Sequence, residues 1–328
     1  MTVKERSLIS YIVIRVLQIL PIVAGIVLLN FIIIHLAPGD PAIILAGEYE
    51  TSPEYIEMLR EQFGLNKPLY EQFFIYITNI AKGNLGYSLV YKEPVIDLIF
   101  QRVPATLLLM STQLFFAVLL GILLGVSSSI LLYTKVDSII TISSLIAYAI
   151  PSFWLAQILI LLFSIKLGWF PVQGMVSLRT ELSGLDYIID VLYHLILPVV
   201  TLGAINTALI TRLTRSNMLE ILGKDFIITA KAKGLSKFTV IFKHALRNAL
   251  LPVVTIVGMS VGRMVAGSVI VESVFGWPGV GRLLYDAIGW RDYPLILGIF
   301  LIISMGIVTT NLITDILYAY LDPRIRYR

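Results

Sequence analysis

The sequence predicts an all-α membrane protein with about six transmembrane helices, and three observations support this fold class. Hydrophobic residues occupy 57% of the 328 positions and charged residues only 14%, and the mean hydropathy is +0.88. This composition is too apolar for an ordinary soluble domain. Several apolar runs reach about 20 residues, the length that crosses about 30 Å of hydrocarbon as a helix. The sequence lacks the alternation over about ten residues that is typical of a membrane β-strand.

Six apolar runs are candidate spans, with edges defined to within several residues. They cover residues 8–36, 105–133, 138–165, 191–213, 250–271 and 295–319. The predicted organisation is a first transmembrane helix in residues 1–37, a small extracytoplasmic helical insert in residues 38–101, and a five-helix transmembrane core in residues 102–328.

The distribution of basic residues orients the spans. If the N-terminus is cytoplasmic, 15 of the 25 Lys and Arg residues fall on the cytoplasmic side, together with 6 of the 21 acidic residues. Because cytoplasmic loops carry an excess of Lys and Arg, the sequence predicts a multi-pass protein of the cell inner membrane with both termini in the cytoplasm. The same rule explains the net charge of +4 without nucleic-acid binding, which we do not expect.

The predicted insert has helix signals of its own. Ser52 can cap a helix that has Pro53 at its first position and Gly64 as its terminator. A second amphipathic stretch runs from about Leu69 to Ala81 and has its larger apolar side chains on one face. We interpret these stretches as a small helical cap on the outer face.

Residues 212–247 form the most informative segment. They include eight basic and two acidic residues, which is too polar for a span, and they are too rich in helix formers for a loose loop. Asp225 can cap a helix that ends at Gly234, and Ser236 can cap a second helix. The sequence therefore predicts a helix, a turn and a helix on the cytoplasmic face, where small residues such as Ala230 and Ala232 let another protein's backbone come close.

Two stretches of this segment carry a family resemblance. Residues 229–236 read TAKAKGLS and residues 243–252 read KHALRNALLP, and together they resemble the cytoplasmic EAA loop of ABC importer permeases of the dipeptide, oligopeptide and nickel transport family. The resemblance covers nearly the whole chain. Further similar stretches are residues 29–31, 37–41, 102–106, 272–282, 291–294 and 321–324.

The resemblance implies the type I ABC importer permease fold and a B-type subunit that pairs with a C-type permease. Two cytoplasmic ATPase subunits, which bind ATP and Mg²⁺, and an extracytoplasmic solute-binding protein complete such a system. In this family the EAA loop, here at about residues 212–248, forms a coupling helix that sits in a groove of an ATPase. The positions that the motif assigns to ATPase coupling are Ala230, Lys233, Gly234, Leu235 and Ser236.

One position departs from the family motif. Ile228 stands where the first Glu of the motif would fall, so we expect docking there by shape and apolar packing. The chain has no Gly-x-x-x-x-Gly-Lys-[Ser/Thr] phosphate loop. We therefore expect a transport subunit without catalytic residues or a cofactor of its own, driven by ATP hydrolysis in its partners.

Polar residues inside apolar spans are costly and usually face a bundle interior or water. Arg263 is a candidate for handling a polar cargo in a translocation path, and an internal ion pair or a snorkelling contact is the equal alternative. For the amides, interhelical hydrogen bonds are the competing explanation. The candidates for the translocation path are Arg263, Glu272, Asn30, Gln157 and Asn206.

The outer hairpin after the fifth span supplies candidates for an outer gate or for contact with the binding protein. They are Phe275, Trp277, Pro278 and Gly279. Interfacial anchoring is the alternative for Trp277 and for the other three tryptophans. The three histidines are far apart in sequence, so we expect no metal site.

Several alternatives stay open at this point. Peptides are the default cargo of the resembled family, only slightly ahead of oligosaccharides, with nickel and glutathione behind them. An ion-driven secondary transporter is the alternative from another class, but it would need acidic relays near the midplane. Gly121 and Gly125 form a Gly-x-x-x-Gly pattern, for which packing within the same subunit is the favoured reading.

Overall fold

The computed structural model of the chain describes residues 8–36, 42–43, 52–63, 65–88, 90–177 and 182–321. The expectations that rest on Gly64, on residues 37–41 and on residues 322–328 therefore lie outside the described part. The chain forms two compact units. The first comprises the described residues of the ranges 1–106, 262–269 and 278–328, and the second comprises those of the ranges 107–261 and 270–277.

The described part is mostly helical. Short non-α turns occur at Ile160–Lys166 and Thr239–Leu246, which are π-helical, and at Met264–Ala266, which is 3₁₀. Strands β1 (Tyr87–Ser88) and β2 (Glu93–Pro94) pair antiparallel. The helices in chain order are α1 Leu8–Leu36, α2 Pro53–Phe63, α3 Leu69–Ala81, α4 Val95–Ile130, α5 Lys135–Ala149, α6 Ser152–Leu159, α7 Gly184–Leu222, α8 Asp225–Ala232, α9 Arg247–Ala249, α10 Leu251–Gly262, α11 Val269–Val274, α12 Val280–Gly289 and α13 Tyr293–Leu321.

Within the described residues, four helices, α1, α4, α7 and α13, are long and apolar enough to cross a membrane. Two further stretches qualify only as bent pairs, Lys135–Ala149 with Ser152–Lys166 at 106° and Thr239–Ala249 with Leu251–Ala266 at 48°. If each pair is one span, the total is six, in agreement with the sequence. Helix α4 begins before its predicted run, because Val95 and Ile99 pack in a buried apolar cluster. Helix α7 extends past both ends of its predicted run.

The candidate spans at 138–165 and 250–271 are each interrupted in the structure. The first is broken at Pro151, which has no N–H to donate and forces the preceding Ile150 into an extended conformation (ψ 127°). The second leaves the α-helix at Gly262 and turns through Gly267, whose φ of +64° cannot continue a right-handed helix. Average hydropathy does not register either turn.

In the first unit, the start of α4 packs against the last two helices. Val95 and Ile99 form a buried cluster with Leu283 of α12 and with Leu295 of α13. Polar contacts reinforce this packing. The Asp292 carboxylate accepts a hydrogen bond of 2.5 Å from the Ser88 hydroxyl of strand β1 and another of 3.2 Å from the Leu295 N–H. Burial raises the pKa of Asp292, against the lowering effect of the bond from Ser88.

Helices α2 and α3 have the bounds that the sequence predicts for the insert. The Ser52 hydroxyl accepts a hydrogen bond from the Tyr55 N–H at 3.3 Å, so its predicted capping role is confirmed. Helix α3 lies on the end of α1, where the His35 ring and Gln72 are 2.8 Å apart. Phe31 of α1 and Phe73 of α3 also form an aromatic pair at 5.2 Å. The insert is therefore fastened to the first span.

In the second unit, α4 and α7 approach closely at the two glycines of the Gly-x-x-x-Gly pattern. A Cβ placed on Gly121 would lie 2.7 Å from the Cβ of Ile210. A Cβ on Gly125 would lie 2.6 Å from the Thr214 Cβ and 2.7 Å from the Thr211 carbonyl oxygen. The favoured reading, packing within the same subunit, is therefore confirmed.

This close approach yields a testable prediction. Gly125→Ala is expected to destabilise the chain by about 1–3 kcal/mol, because the new methyl group must displace backbone as well as a side chain. The measurement is the aggregation temperature of the detergent-purified protein. Gly25→Ala on α1 is the matched control, since no atom lies within 4 Å of a Cβ there. An equal effect of both substitutions would contradict this account of the α4–α7 contact.

Candidate functional site

The segment that the sequence analysis singled out begins as a continuation of α7. This helix runs to Leu222, so residues 212–222 extend the fourth span and do not form a separate loop. Helix α8 follows, and Lys224 occupies its N-cap position without a side-chain hydrogen bond that caps the helix. The expectation that Asp225 caps this helix is wrong, because Asp225 is its first helical residue, although a negative charge there still favours the helix dipole.

A tight turn joins α8 to the helix that follows. Gly234 has a φ of +74°, the left-handed conformation that glycine adopts without strain. Its N–H donates to the Lys231 carbonyl at 3.0 Å, and the Leu235 N–H donates to the Ala230 carbonyl at 3.3 Å. This pair of bonds is the Schellman motif that ends many helices. The Ser236 hydroxyl then accepts a hydrogen bond from the Thr239 N–H at 3.3 Å. Gly234 as the predicted end of the first helix and Ser236 as the predicted N-cap of the second are therefore confirmed.

The resulting helical hairpin, residues 225–249, is folded against the long helices of its own unit. The inner face of the hairpin carries Ile227, Ala230 and Ile241, which share one buried cluster with Val126 of α4 and Met218 of α7. Ala230 is only 7% exposed. This burial differs from the expectation that Ala230 lies open to another protein's backbone, because its methyl group packs against side chains of the same chain.

The outer face of the hairpin is apolar and exposed. Phe238 is 70% exposed and Ile228 is 58% exposed, and the Phe238 and Phe242 rings lie 4.5 Å apart. Leu235, next to Gly234 at the tip of the turn, is exposed as well. A contiguous apolar patch of this kind marks an interaction surface. Ile228, which stands where the motif has its first Glu, is exposed on the same hairpin.

Exposed lysines accompany these apolar side chains on the hairpin. Four lysines on or beside the hairpin, Lys224, Lys231, Lys233 and Lys237, are all exposed. Lys224 is paired with Glu220 of α7 at 2.9 Å, and both side chains are at least half exposed. The hairpin therefore presents an apolar centre with positive edges, which suits a partner groove that is apolar inside and acidic at its rim.

The candidates for the translocation path fall into two groups. Arg263 and Gln157 are exposed, as a path residue in an isolated subunit would be. Asn30 and Glu272 are 2% and 0% exposed, and the Asn30 amide donates to the Leu297 carbonyl at 3.4 Å. The Asn206 amide donates to Gln113 at 3.0 Å across α4 and α7. For Asn30 and Asn206 the competing explanation, an interhelical bond, describes the structure better.

The candidates for the outer gate are largely buried. Trp277 is completely buried and Phe275 is 2% exposed. The Phe275 carbonyl accepts a bond from the Gly174 N–H at 2.8 Å, which ties this segment to the loop after α6. Interfacial anchoring is therefore wrong for Trp277, and its side chain cannot meet a binding protein without rearrangement. Pro278 is half-buried and Gly279 is buried.

Sequence reasoning missed a polar cluster close to the hairpin. Asp137 of α5 forms an ion pair with Arg215 of α7 at 2.9 Å, and Ser128 of α4 bonds to both. The general cost of charges beside apolar spans is the signal that could have identified it. Within the described residues, no group of three or more His, Cys, Asp or Glu side chains is placed to hold a metal ion.

Comparisons with known proteins agree with this architecture. Residues 117–327 match the family described as "Binding-protein-dependent transport system inner membrane component", and residues 8–110 match the N-terminal family of the same systems. A solved structure of the MetNI methionine ABC transporter, in inward-facing conformations, has a chain that is 18% identical. The alignment covers 69% of this chain and 96% of the transporter chain, with a TM-score of 0.54. This likeness shows the fold.

Curated relatives are similar over nearly their whole length. The oligopeptide transport system permease protein AppB of Bacillus subtilis is 45% identical over 97% of this chain and 99% of its own. The dipeptide transport system permease protein DppB of Escherichia coli is 40% identical, over 98% and 100%. The glutathione transport system permease protein GsiC of Escherichia coli is 39% identical, over 98% and 100%.

The family match covers more than half of the chain, and the relatives align from end to end. Helices α1, α4, α7 and α13 and the two bent pairs supply the membrane-spanning segments that such a component needs. The chain is therefore a multi-pass membrane protein with the type I ABC importer permease fold, and it belongs to the family of binding-protein-dependent transport system inner membrane components.

Proposed function

We propose that the chain is a permease subunit of an ATP-driven importer, and that the outer face of the 225–249 hairpin docks onto an ATPase subunit. The observation that carries this proposal is the two-sided hairpin. Its inner face is buried against α4 and α7, while Leu235 and Phe238 are exposed on the outside. The exposed lysines of the hairpin keep it out of the hydrocarbon, so lipid does not cover this apolar face and a protein partner is needed.

The arrangement provides a mechanism for coupling. Because the hairpin shares one buried cluster with Val126 and Met218, a displacement of the hairpin must carry the ends of α4 and α7 with it. ATP and Mg²⁺ are bound by the partners, and closure of two ATPase subunits supplies the displacement. Lys233, Gly234, Leu235 and Ser236 form the exposed turn that makes the contact, while Ala230 holds the turn in place.

The remaining partners complete the assembly. A second, C-type permease shares the translocation path, and an extracytoplasmic solute-binding protein delivers the cargo at the outer side. The excess of Lys and Arg on the hairpin side supports a cytoplasmic hairpin and cytoplasmic termini in the inner membrane. Residues 38–101 then lie outside the cell membrane as a helical insert. Arg263 and Gln157, both exposed, are the residues of this chain that we assign to the translocation path.

Small peptides are the proposed cargo. The relatives AppB, DppB and GsiC are named for oligopeptides, dipeptides and glutathione, and all three are short peptides or peptide-like molecules. The shared requirement is a path for a zwitterion with an extended backbone, to which the exposed Arg263 offers a partner for a carboxylate. Oligosaccharides and nickel are the competing cargoes, and an ion-driven transporter is the competing class.

Copurification and uptake test the proposal together. The tagged full chain, purified from its host's membranes, is expected to bring two ATPase subunits and a second permease with it. Vesicles containing that complex and the binding protein are expected to accumulate labelled trialanine only when ATP is supplied on the hairpin side. Uptake by the chain alone, driven by an ion gradient without ATP, would overturn the proposal.

A further inference from the structure

We propose that Ser128, Asp137 and Arg215, which we name the Arg215 clamp, are positioning residues that make the hairpin and the membrane helices move as one body. The inference rests on the proposed function, because it assigns the route by which a force on the hairpin reaches the membrane helices. None of its three residues belongs to the stretches 229–236 and 243–252 that carry the family resemblance, and none of the three lies on the exposed docking face.

The clamp is a dense set of charge-assisted hydrogen bonds. The Arg215 guanidinium donates to both carboxylate oxygens of Asp137, from Nε at 2.9 Å and from Nη2 at 3.0 Å. Its Nε also lies 2.9 Å from the Ser128 hydroxyl, which in turn donates to Asp137 at 2.5 Å. Bidentate pairs of this kind fix the relative orientation of the two side chains as well as their distance.

Further donors saturate the carboxylate. The Tyr133 N–H donates to Asp137 at 3.1 Å from the turn before α5, and the Thr141 hydroxyl lies at 3.4 Å. Ser128 is completely buried and Asp137 is 5% exposed. An anion held by this many donors in one place has few alternative arrangements, so the clamp holds a single geometry.

The three residues connect three helices at one end. Ser128 lies on α4, Asp137 on the first turn of α5, and Arg215 on α7. The clamp follows directly after the close approach of α4 and α7 at Gly125, and it is followed by the cluster that joins Val126 and Met218 to the hairpin. The inner face of the hairpin is thus fastened to α4 and α7, and the clamp adds α5 to the same block.

Stability alone does not account for an ion pair at this place. Well-packed apolar residues often stabilise a protein as much as a partly buried ion pair does, because desolvation offsets the Coulomb attraction. What the ion pair adds is a defined angle between helices. Helices α4, α5 and α7 also line an open apolar groove of about 880 Å³. A change in their angles at the clamp would therefore reshape the membrane part of the subunit.

A spin-label distance measures this rigidity directly. The chain has no cysteine, so Lys135→Cys on α5 and Lys224→Cys before α8 introduce two labels at exposed positions. In the complete purified complex, the wild-type clamp is expected to give one narrow distance that is the same without nucleotide and with ATP and vanadate. Asp137→Asn is expected to broaden the distance or to shift it when ATP binds.

A functional ratio separates positioning from a simple loss of folding. In vesicles, labelled trialanine taken up per ATP hydrolysed is expected to fall about tenfold in Asp137→Asn, the factor that one lost charge-assisted hydrogen bond represents, while ATP hydrolysis continues. Ser128→Ala, which keeps the ion pair, is expected to give a smaller fall. Glu220→Gln breaks an exposed pair on the same helix and is expected to leave the ratio unchanged.

Two results would overturn the clamp. One is a wild-type distance that changes with nucleotide, or an Asp137→Asn distance that stays narrow and does not shift when ATP binds. The other is an unchanged uptake ratio in Asp137→Asn, with only the yield of the complex reduced, since that pattern describes a purely structural ion pair. A wild-type complex that hydrolyses ATP without moving trialanine counts against the peptide cargo, and the spin-label distances then decide the clamp.

Discussion

Replacing both Leu235 and Phe238 with aspartate is expected to remove the ATPase subunits from the purified chain while the chain itself stays folded. The two side chains are 41% and 70% exposed, so their loss leaves no internal cavity. An aspartate that becomes desolvated in an apolar groove costs about 2–4 kcal/mol of docking free energy, which weakens binding about 30-fold or more. Copurification followed by quantitative mass spectrometry measures the effect.

A matched control comes from the insert. Phe74 on α3 is 67% exposed, nearly the same as Phe238, and it lies on an element that we place on the other side of the membrane. Phe74→Asp is therefore expected to retain the ATPase subunits in full. Loss of the ATPases in both variants, or in neither, would show that the hairpin face does not make this contact.

Ala230→Arg is expected to have the second large effect, and for a different reason. The Ala230 methyl is buried with Ile227, Val240 and Met218, so an arginine there must either bury an unpaired charge or push the hairpin off α4 and α7. Either outcome costs several kcal/mol. We expect an aggregated or protease-sensitive chain and a low yield of protein that elutes as a single species.

Ala232 is the control for this experiment, because it lies on the same helix and is exposed. Ala232→Arg is expected to leave yield and size-exclusion behaviour at the wild-type level. Well-folded Ala230→Arg protein that has merely lost its ATPases would mean that Ala230 is a contact residue after all, and that the division of the hairpin into two faces is incorrect.

Helix positions follow from the sequence where local signals are strong. The bounds of α1, α2 and α3 agree with the predicted ones, because apolar runs, an N-cap serine and a first-turn proline act within a few residues. The breaks at Pro151 and Gly267 were not predicted, since average hydropathy is insensitive to backbone conformation.

The candidate site was likewise predictable only where local signals are strong. Gly234, which ends a helix, and Ser236, which caps the next one, act within a few residues and occupy the predicted places. The burial of Ala230, Trp277 and Glu272 comes from elements distant in sequence, so the local pattern could not show it. The Arg215 clamp joins residues 78 positions apart, a pairing that no motif marks and that only the packing of α5 against α7 brings about.

Site-specific photocrosslinking at the hairpin turn tests the central claim most directly. Because the chain has no cysteine, Leu235→Cys can carry a single maleimide-benzophenone probe in native membranes, with Phe74→Cys as the control. Illumination is expected to link the hairpin probe to an ATPase subunit, and the control probe to none. Absence of an ATPase adduct at Leu235, with the ATPase subunits present in the same membranes, would contradict the account.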